Sequence, residues 1–175
     1  RDDGDWNVVF VEGDIMQKPV PNAPRAPRQQ ANTPASRHKA RRFAMQGVYE
    51  WQLSGNDPFE IEARYRVENA MHKVDLAYFH ELLQQTTRRA LELDAVYVSF
   101  LDRDINQLNP VERSILRIGC YELVHHIEIP YPIVLDEAIE LAKDFGATDS
   151  FKYINSILDE VAKKVRQTER NARKS

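Results

Sequence analysis

Positive charge is concentrated at the start of a helix-forming segment, residues 37–53. Its apolar positions recur at the spacing of one helical face: Ala40, Phe43, Ala44, Gly47, Val48 and Trp51. The opposite face carries Lys39, Arg42, Gln46 and Tyr49. Cationic side chains neutralise phosphates, and an exposed amide or aromatic ring can contact a base. These residue types indicate an RNA-binding surface, although a solvated helix start with an ordinary tyrosine fits the same pattern.

Two later segments also place aromatic rings beside cations. Arg113, Arg117 and Tyr121 recur at four-residue spacing, and Lys152 and Tyr153 lie off the apolar face of the last strong helical pattern. Each tyrosine alone is typical of a structural residue. Together the three faces favour a cationic, aromatic surface suited to single-stranded RNA.

Catalytic and metal-binding patterns are poor in this sequence. It has no glycine-rich phosphate loop, no nucleophile elbow and no zinc-protease motif. His125 and His126 are adjacent, so on a helix they point about 100° apart and cannot share a metal. Cys120 lacks the surroundings of a nucleophile, and Glu122 is expected to be a buried carboxylate paired with a neighbouring donor. The sequence predicts a protein that is not an enzyme and that holds no cofactor or metal.

Composition limits the classes of protein to which this chain could belong. The chain has 175 residues, 42% hydrophobic and 29% charged, with a net charge of −3, so a uniformly basic nucleic-acid binder is excluded. Residues 25–42 nevertheless hold six cations and no acid, which makes any polyanion site a local patch. A single cysteine fits a reducing compartment. No apolar run approaches a membrane span and the amino terminus lacks a signal peptide, so we expect a soluble, cytoplasmic protein.

The chain divides by composition into three parts. Residues 17–36 contain five prolines and no apolar period, so we expect residues 1–36 to form a disordered, proline-rich extension. Residues 37–168 carry the helical patterns and form the predicted RNA-binding domain. Residues 169–175 are expected to be a disordered tail.

Capping signals set the expected helix boundaries. Ser36 is a candidate N-cap for the first helix, and Asp75 opens a long pattern that is expected to break near Asp94. Asn109, followed by a proline and Glu112, is an N-cap with a capping box. Asp149 is expected to cap the last long helix. No alternating strand pattern follows residue 36, so the prediction is an all-α, compact bundle of six or seven helices.

Three strings resemble a known family. RRFAMQGVYEWQLSGND, NPVERSILRIGCYEL and PYPIVLDEAIELAKDFGATDSFKYINSILD, in this order, resemble the NusB family of bacterial transcription antitermination factors, over roughly residues 37–165. The resemblance implies an all-α fold of two small helical subdomains. It implies binding to boxA-type single-stranded RNA together with NusE, a ribosomal protein of the small subunit. It also implies a place in an RNA polymerase antitermination complex that promotes transcription of ribosomal RNA operons.

The resemblance also implies site residues. The arginine-rich helix start resembles the main RNA contact of the family: Arg37, Lys39, Arg41 and Arg42. Positions that line or flank the same RNA face are Gln46, Arg117, Asp149, Lys152 and Tyr153. Tyr49 and Glu112 match positions where the family docks NusE, and Glu112 could serve both as a cap and as a partner contact. Asp149, an acid on an RNA face, could be only a helix cap.

Two alternatives stay open from sequence. One is a protein-only helical adaptor that holds the ribosomal partner without reading RNA. The other is a NusB-like fragment of a ribosomal RNA methyltransferase, a class that requires a further domain with a cofactor loop and catalytic cysteines.

Overall fold

The structure, a computed structural model, describes residues 32–175. This part of the chain contains eight α-helices and no strand, which confirms the all-α prediction; their count exceeds the expected six or seven. The helices are α1 (Pro34–Ser54), α2 (Pro58–Glu68), α3 (Leu76–Arg88), α4 (Ala90–Tyr97), α5 (Pro110–His125), α6 (Tyr131–Phe145), α7 (Ser150–Val165) and α8 (Gln167–Lys174). Short 3₁₀ turns at Val98–Phe100 and Ile105–Gln107 join α4 to α5. Within residues 32–175 no helix is both long and apolar enough to span a membrane.

The first helix begins earlier than the sequence predicted. Its N-cap is Thr33, whose hydroxyl accepts from the Ser36 amide at 3.1 Å, while the Ser36 hydroxyl accepts from the Thr33 amide at 3.0 Å. Pro34 occupies the first turn, where its missing amide hydrogen costs nothing. The prediction of Ser36 as N-cap was therefore wrong: it completes a reciprocal capping box. Of the predicted extension, residues 1–31 lie outside the described residues, and residues 34–36 are helical.

Two other boundaries test the capping signals. The Asn109 side chain accepts from the Glu112 amide at 2.8 Å and Glu112 accepts from the Asn109 amide at 3.4 Å, so the predicted capping box of α5 is confirmed. The long pattern opened by Asp75 breaks at Arg89, between α3 and α4, and not near Asp94.

The helices form two groups around one continuous core. α1 packs on α3 and α2, whereas α5, α6 and α7 pack on one another, and α1 also contacts α5. Phe79, Leu82, Leu116 and Leu158 are completely buried in this core. Because α1 touches both groups, its outward face runs along the seam between them.

The carboxy-terminal segment folds against this bundle as α8, where the sequence predicted a tail from residue 169. Arg166, between α7 and α8, is buried and donates to the carbonyls of Glu122, Leu123, His126 and Ile129 at 2.7–3.2 Å. Two of these carbonyls, those of Glu122 and His126, also accept from backbone amides at 3.0 Å, whereas the Leu123 carbonyl in the last turn of α5 depends on Arg166. A guanidinium thus closes the end of α5 and fixes the start of α8, a long-range contact that no local pattern reveals.

Candidate nucleic-acid interface

The predicted buried role of Glu122 is confirmed, and its partner is Arg41. The Arg41 guanidinium donates to both Glu122 oxygens at 2.8–3.0 Å, and the Tyr78 hydroxyl donates to the same carboxylate. Burial alone would lower the pKa of Arg41, but the Glu122 charge and hydrogen bonds outweigh it and the pKa is raised. Burial and the neighbouring carboxylate also raise the pKa of Tyr78. Arg41 therefore joins α1 to α5 inside the protein.

Arg37 lies at the edge of the same cluster. Its guanidinium carbon is 4.4 Å from the centroid of the Tyr78 ring, a cation–π contact, and its Nε lies 3.8 Å from the Asp75 carboxylate. The side chain is half-buried, so it is partly committed to holding the start of α1 against α3.

The outward side of α1 keeps its polar groups at the surface. We call Lys39, Arg42 and Gln46 the α1 basic face. Lys39 is exposed and, among the described residues, has no ion pair. Arg42 pairs with Asp144 near the end of α6 and lies 4.9 Å above the Phe145 ring. Because that pair is exposed, it contributes about 0.2–1 kcal/mol and can be exchanged for a phosphate.

The start of α7 supplies a second cationic cluster. Lys152 and Lys143 lie 5.9 and 5.0 Å from the centroid of the Phe151 ring, next to the end of α6 that Arg42 reaches. The Tyr153 hydroxyl donates to Asp102 at 2.8 Å, and Arg103 stacks on the Tyr153 ring at 4.2 Å. A stacked guanidinium and phenol form a flat surface of the kind that unpaired bases stack on.

Asp149 occupies the N-cap position of α7, but its side chain caps no amide, so the predicted capping bond is wrong. Its φ of 72° is left-handed, the only such non-glycine residue in the described part of the chain. The exposed carboxylate lies 3.2 Å from the Lys152 ammonium. It therefore lowers the positive potential at the point where Lys152 would meet a phosphate.

Arg117 is separated from these clusters. It is buried, donates to both Asp94 oxygens at 2.7 and 2.9 Å and to Gln52 at 3.0 Å, and contacts the Trp51 ring. Trp51 is on the side of α1 opposite the basic face, because residues nine apart on a helix point about 180° from each other. Arg117 therefore lines a different groove, of about 560 Å³, with Arg88 and Arg89.

Tyr49 opens onto an apolar groove that continues from the basic face along α1. The groove has a volume of about 490 Å³ and is lined by side chains of four helices: Met45, Gln46, Tyr49, Glu50, Leu53, Ser54, Tyr65, Val111 and Phe145. Tyr49 is 36% exposed and Leu53 is 59% exposed. We call this the α1 groove. An exposed apolar groove with an aromatic rim is typical of a protein-docking site.

Glu112 lies beside this groove but is largely enclosed. Only 6% of the residue is exposed, and its carboxylate accepts from the Asn109 amide and, at 3.3 Å, from the Ser150 hydroxyl. Its capping role is established by this geometry. A partner could reach only the remaining edge of the carboxylate.

Residues that the sequence analysis did not select complete the surface. Phe145 joins the basic face to the α1 groove, and Arg103 with Asp102 frames Tyr153. The hydrogen bonds from Arg103 and Tyr153 to Asp102 lower the pKa of that carboxyl. Arg103 lies in a loop without periodicity, so only an exposed cation near an aromatic in three dimensions reveals it. Across residues 32–175, no three His, Cys, Asp or Glu side chains are grouped to hold a metal ion.

Comparison with known proteins shows the family of the chain. The NusB family model matches residues 38–163, most of the chain. The chain belongs to the NusB family. It is 60% identical over 136 residues to the transcription antitermination protein NusB of Acinetobacter baylyi, an alignment that covers 78% of this chain and 91% of the relative. It is 46% identical over 133 residues to the protein of that name from Legionella pneumophila, covering 76% of this chain and 90% of the relative.

Solved NusB structures share the fold. A NusB from T. maritima superposes with a TM-score of 0.62 at 26% identity, covering 75% of this chain and 92% of that one. The antitermination factors NusB and NusE in complex with dsRNA give a TM-score of 0.65 at 25% identity, covering 75% and 99% of the two chains. The NusB match ends at residue 163, so α8 lies beyond it.

Proposed function

We propose that this NusB-family protein is a cytoplasmic transcription antitermination factor that binds boxA-type single-stranded RNA as a heterodimer with NusE. In this proposal the heterodimer joins an RNA polymerase antitermination complex and promotes processive transcription of ribosomal RNA operons. It acts by binding and not by catalysis. The names of the curated relatives support the antitermination role, and the solved complex of NusB and NusE with dsRNA supports the two kinds of partner, a protein and an RNA.

One observation carries the proposal: the α1 basic face and the α1 groove are consecutive parts of the same exposed side of one helix. Lys39 and Arg42 precede Tyr49 and Leu53 along that side, and Phe145 borders both. RNA phosphates and a protein partner can therefore bind next to each other. Such an arrangement lets the partner and the RNA stabilise each other's binding.

We assign the phosphate contacts to three surface cations, Lys39, Arg42 and Lys152. Lys39 has no ion pair among residues 32–175, and the pairs of Arg42 with Asp144 and of Lys152 with Asp149 are exposed enough to be exchanged for a phosphate. Arg37, with its edge position, is a secondary contact. Arg41 and Arg117 are not assigned as phosphate contacts. If either arginine turned to a phosphate, its carboxylate partner, Glu122 or Asp94, would be left unpaired inside the protein. Both arginines therefore support the surface from inside. Gln46 and Tyr153 offer an amide and a stacked ring to the bases.

We assign NusE binding to the α1 groove, with Tyr49 as its central aromatic contact. Aromatic side chains at an apolar site commonly contribute more than 1 kcal/mol to protein association. Glu112 adds at most a contact at the groove's edge, since most of its carboxylate faces Asn109 and Ser150.

The test is fluorescence anisotropy with a boxA-type RNA and a shuffled RNA of the same composition, with and without NusE. We expect preferential boxA binding that tightens when NusE is present. Lys39→Ala should weaken RNA binding with or without NusE, whereas Tyr49→Ala should remove only the gain that NusE provides. Equal, weak binding to both RNAs in the presence of a bound partner would overturn the RNA assignment and leave the protein-only adaptor.

A further inference from the structure

The last helix is held against the first turn of α6. Glu169 accepts a hydrogen bond from the Tyr131 amide at 3.0 Å, and Arg170 and Arg173 lie 4.9 and 5.6 Å from the centroid of the Tyr131 ring. Arg170 also pairs with Asp159 of α7 at 3.0 Å. With the buried Arg166 at its start, α8 therefore has a defined position on the bundle.

Helix α6 separates that position from the start of α1. Glu137, six residues after Tyr131 on α6, lies 2.7 Å from the His38 ring nitrogen and 3.7 Å from the Arg41 guanidinium. Six residues correspond to about 9 Å along a helix. Along α6, the start of α7 thus lies at the Phe145 end and α8 lies at the Tyr131 end, with the contacts to α1 between them.

α8 and the end of α7 are strongly basic although the whole chain is acidic. Residues 163–174 contain six cations and one acid, against a net charge of −3 for the chain. Four of these cations pair with Asp159, Glu160 or Glu169, so the unpaired charge is that of the two remaining lysines. Lys164 and Lys174 are exposed and have no ion pair with any of residues 32–175. Gln167 and Asn171, four residues apart and both exposed, share the outer face of α8 with Lys174.

We propose that α8 and the end of α7 together form a second RNA-contacting element, which binds the backbone of RNA extending beyond the segment held by α1 and the start of α7. The inference rests on the proposed RNA-binding function and deepens it. Lysines supply charge to phosphates, and exposed amides hydrogen-bond to phosphate, sugar or base. α8 has no large apolar side chain. A protein partner would find no apolar centre on it, whereas an RNA backbone needs none.

The experiment uses the full chain and compares a short boxA-type RNA with RNAs extended by about ten nucleotides at the 5′ or the 3′ end. The variant Lys164→Ala/Lys174→Ala removes the two unpaired cations. Each phosphate contact contributes about 0.7 to the slope of log affinity against log salt. We expect the variant to reduce the slope by about 1.4 for one of the extended RNAs and to leave the short RNA unchanged.

The control is Arg66→Ala/Arg88→Ala, which removes two exposed cations from α2 and α3, in the other helix group; Arg66 pairs with Glu62 at 3.0 Å, and Arg88 has no ion pair with any of residues 32–175. It should leave all the slopes unchanged. Unchanged slopes for both extended RNAs in the Lys164→Ala/Lys174→Ala variant, or an equal loss in the control, would overturn the proposal. Failure of the proposed function is distinguishable, because it appears as equal binding of the short boxA-type RNA and its shuffled control by the unmodified protein. Thermal unfolding should confirm that both variants remain folded.

Discussion

Removing Arg41 should affect RNA binding through stability and not through a lost phosphate contact. The side chains of Arg41 and Glu122 are only 4% and 2% exposed, and three hydrogen bonds join them. Deleting one partner of such a pair costs about 3–5 kcal/mol, because the other charge stays buried and unpaired. For a protein of this size the loss corresponds to a melting temperature lowered by about 10 °C. Arg41→Met should produce it, whereas Glu122→Gln should cost less, because Arg41 keeps the Glu137 carboxylate at 3.7 Å.

Replacing Arg41, Glu122 and Tyr78 together tests whether Arg41 contacts RNA without the loss of stability that a single replacement causes. In the variant Arg41→Met/Glu122→Leu/Tyr78→Phe no buried charge or hydroxyl is left unpaired, so the free energy of unfolding should return close to that of the unmodified protein. Arg37 keeps an aromatic ring beneath it. The assay is RNA anisotropy across a salt series, combined with urea unfolding of each variant.

The salt slope decides between the two roles of Arg41. The triple variant should have the slope of the unmodified protein, whereas Lys39→Ala should reduce the slope by about 0.7 and change stability by less than about 0.5 kcal/mol. A slope lowered by about 0.7 in the folded triple variant would refute the reasoning. Arg41 would then be a phosphate contact despite its burial.

Three further predictions concern other parts of the molecule. His126 lies between Glu81 and Glu128; burial would lower its pKa, but the hydrogen bonds to these carboxylates outweigh burial and raise it above the ordinary value of 6.5. The stabilisation that protonated His126 gives the folded state is therefore complete below pH 6.5 and is lost as the pH rises through the folded-state pKa. In urea titrations, the difference in unfolding free energy between the unmodified protein and His126→Gln should shrink from pH 6 to pH 9. A constant difference would contradict this. Arg166→Ala should cost about 3 kcal/mol or more, because four carbonyls lose a charged donor, whereas exposed Lys164→Ala should be neutral in the same unfolding assay. Asp149→Asn should tighten RNA binding, because it removes an acid beside Lys152. Its stability should be unchanged or slightly higher, since asparagine tolerates φ > 0. Weaker or unchanged RNA binding would show that the carboxylate does not oppose RNA.

Local signals in the sequence predicted most of the fold. The capping box at Asn109 and Glu112 and the apolar periods determine helix boundaries through contacts between residues three or four apart. The break at Arg89 and the folding of α8 depend on contacts far along the chain, such as Arg166 with the end of α5. Sequence patterns carry no information on such contacts.

The candidate site was predicted less completely, because a positive charge has the same appearance in sequence whether it points inward or outward. On α1, Arg41 and Arg42 are adjacent, yet one is buried against Glu122 and the other reaches the surface at Asp144. The 100° step between them separates a structural arginine from a candidate RNA contact. Helical periodicity could have assigned Arg41 to the inner side, had Glu122 been placed on the helix that faces it.

In this protein, buried arginines fix the helices that carry the exposed cations. The inner arginines Arg41 and Arg117 each join two helices through a carboxylate, and Arg166 holds the end of α5 through carbonyls. The outer cations Lys39, Lys152 and Lys174 lie on the helices that these arginines fix. Lys39 and Lys174 have no ion pair among residues 32–175, and Lys152 has only an exposed pair with Asp149. A rigid support lets outer cations keep their spacing without ion pairs, so they stay available for phosphates. If this is correct, neutralising an outer cation changes the salt slope and neutralising an inner one changes the melting temperature, with little overlap between the two sets.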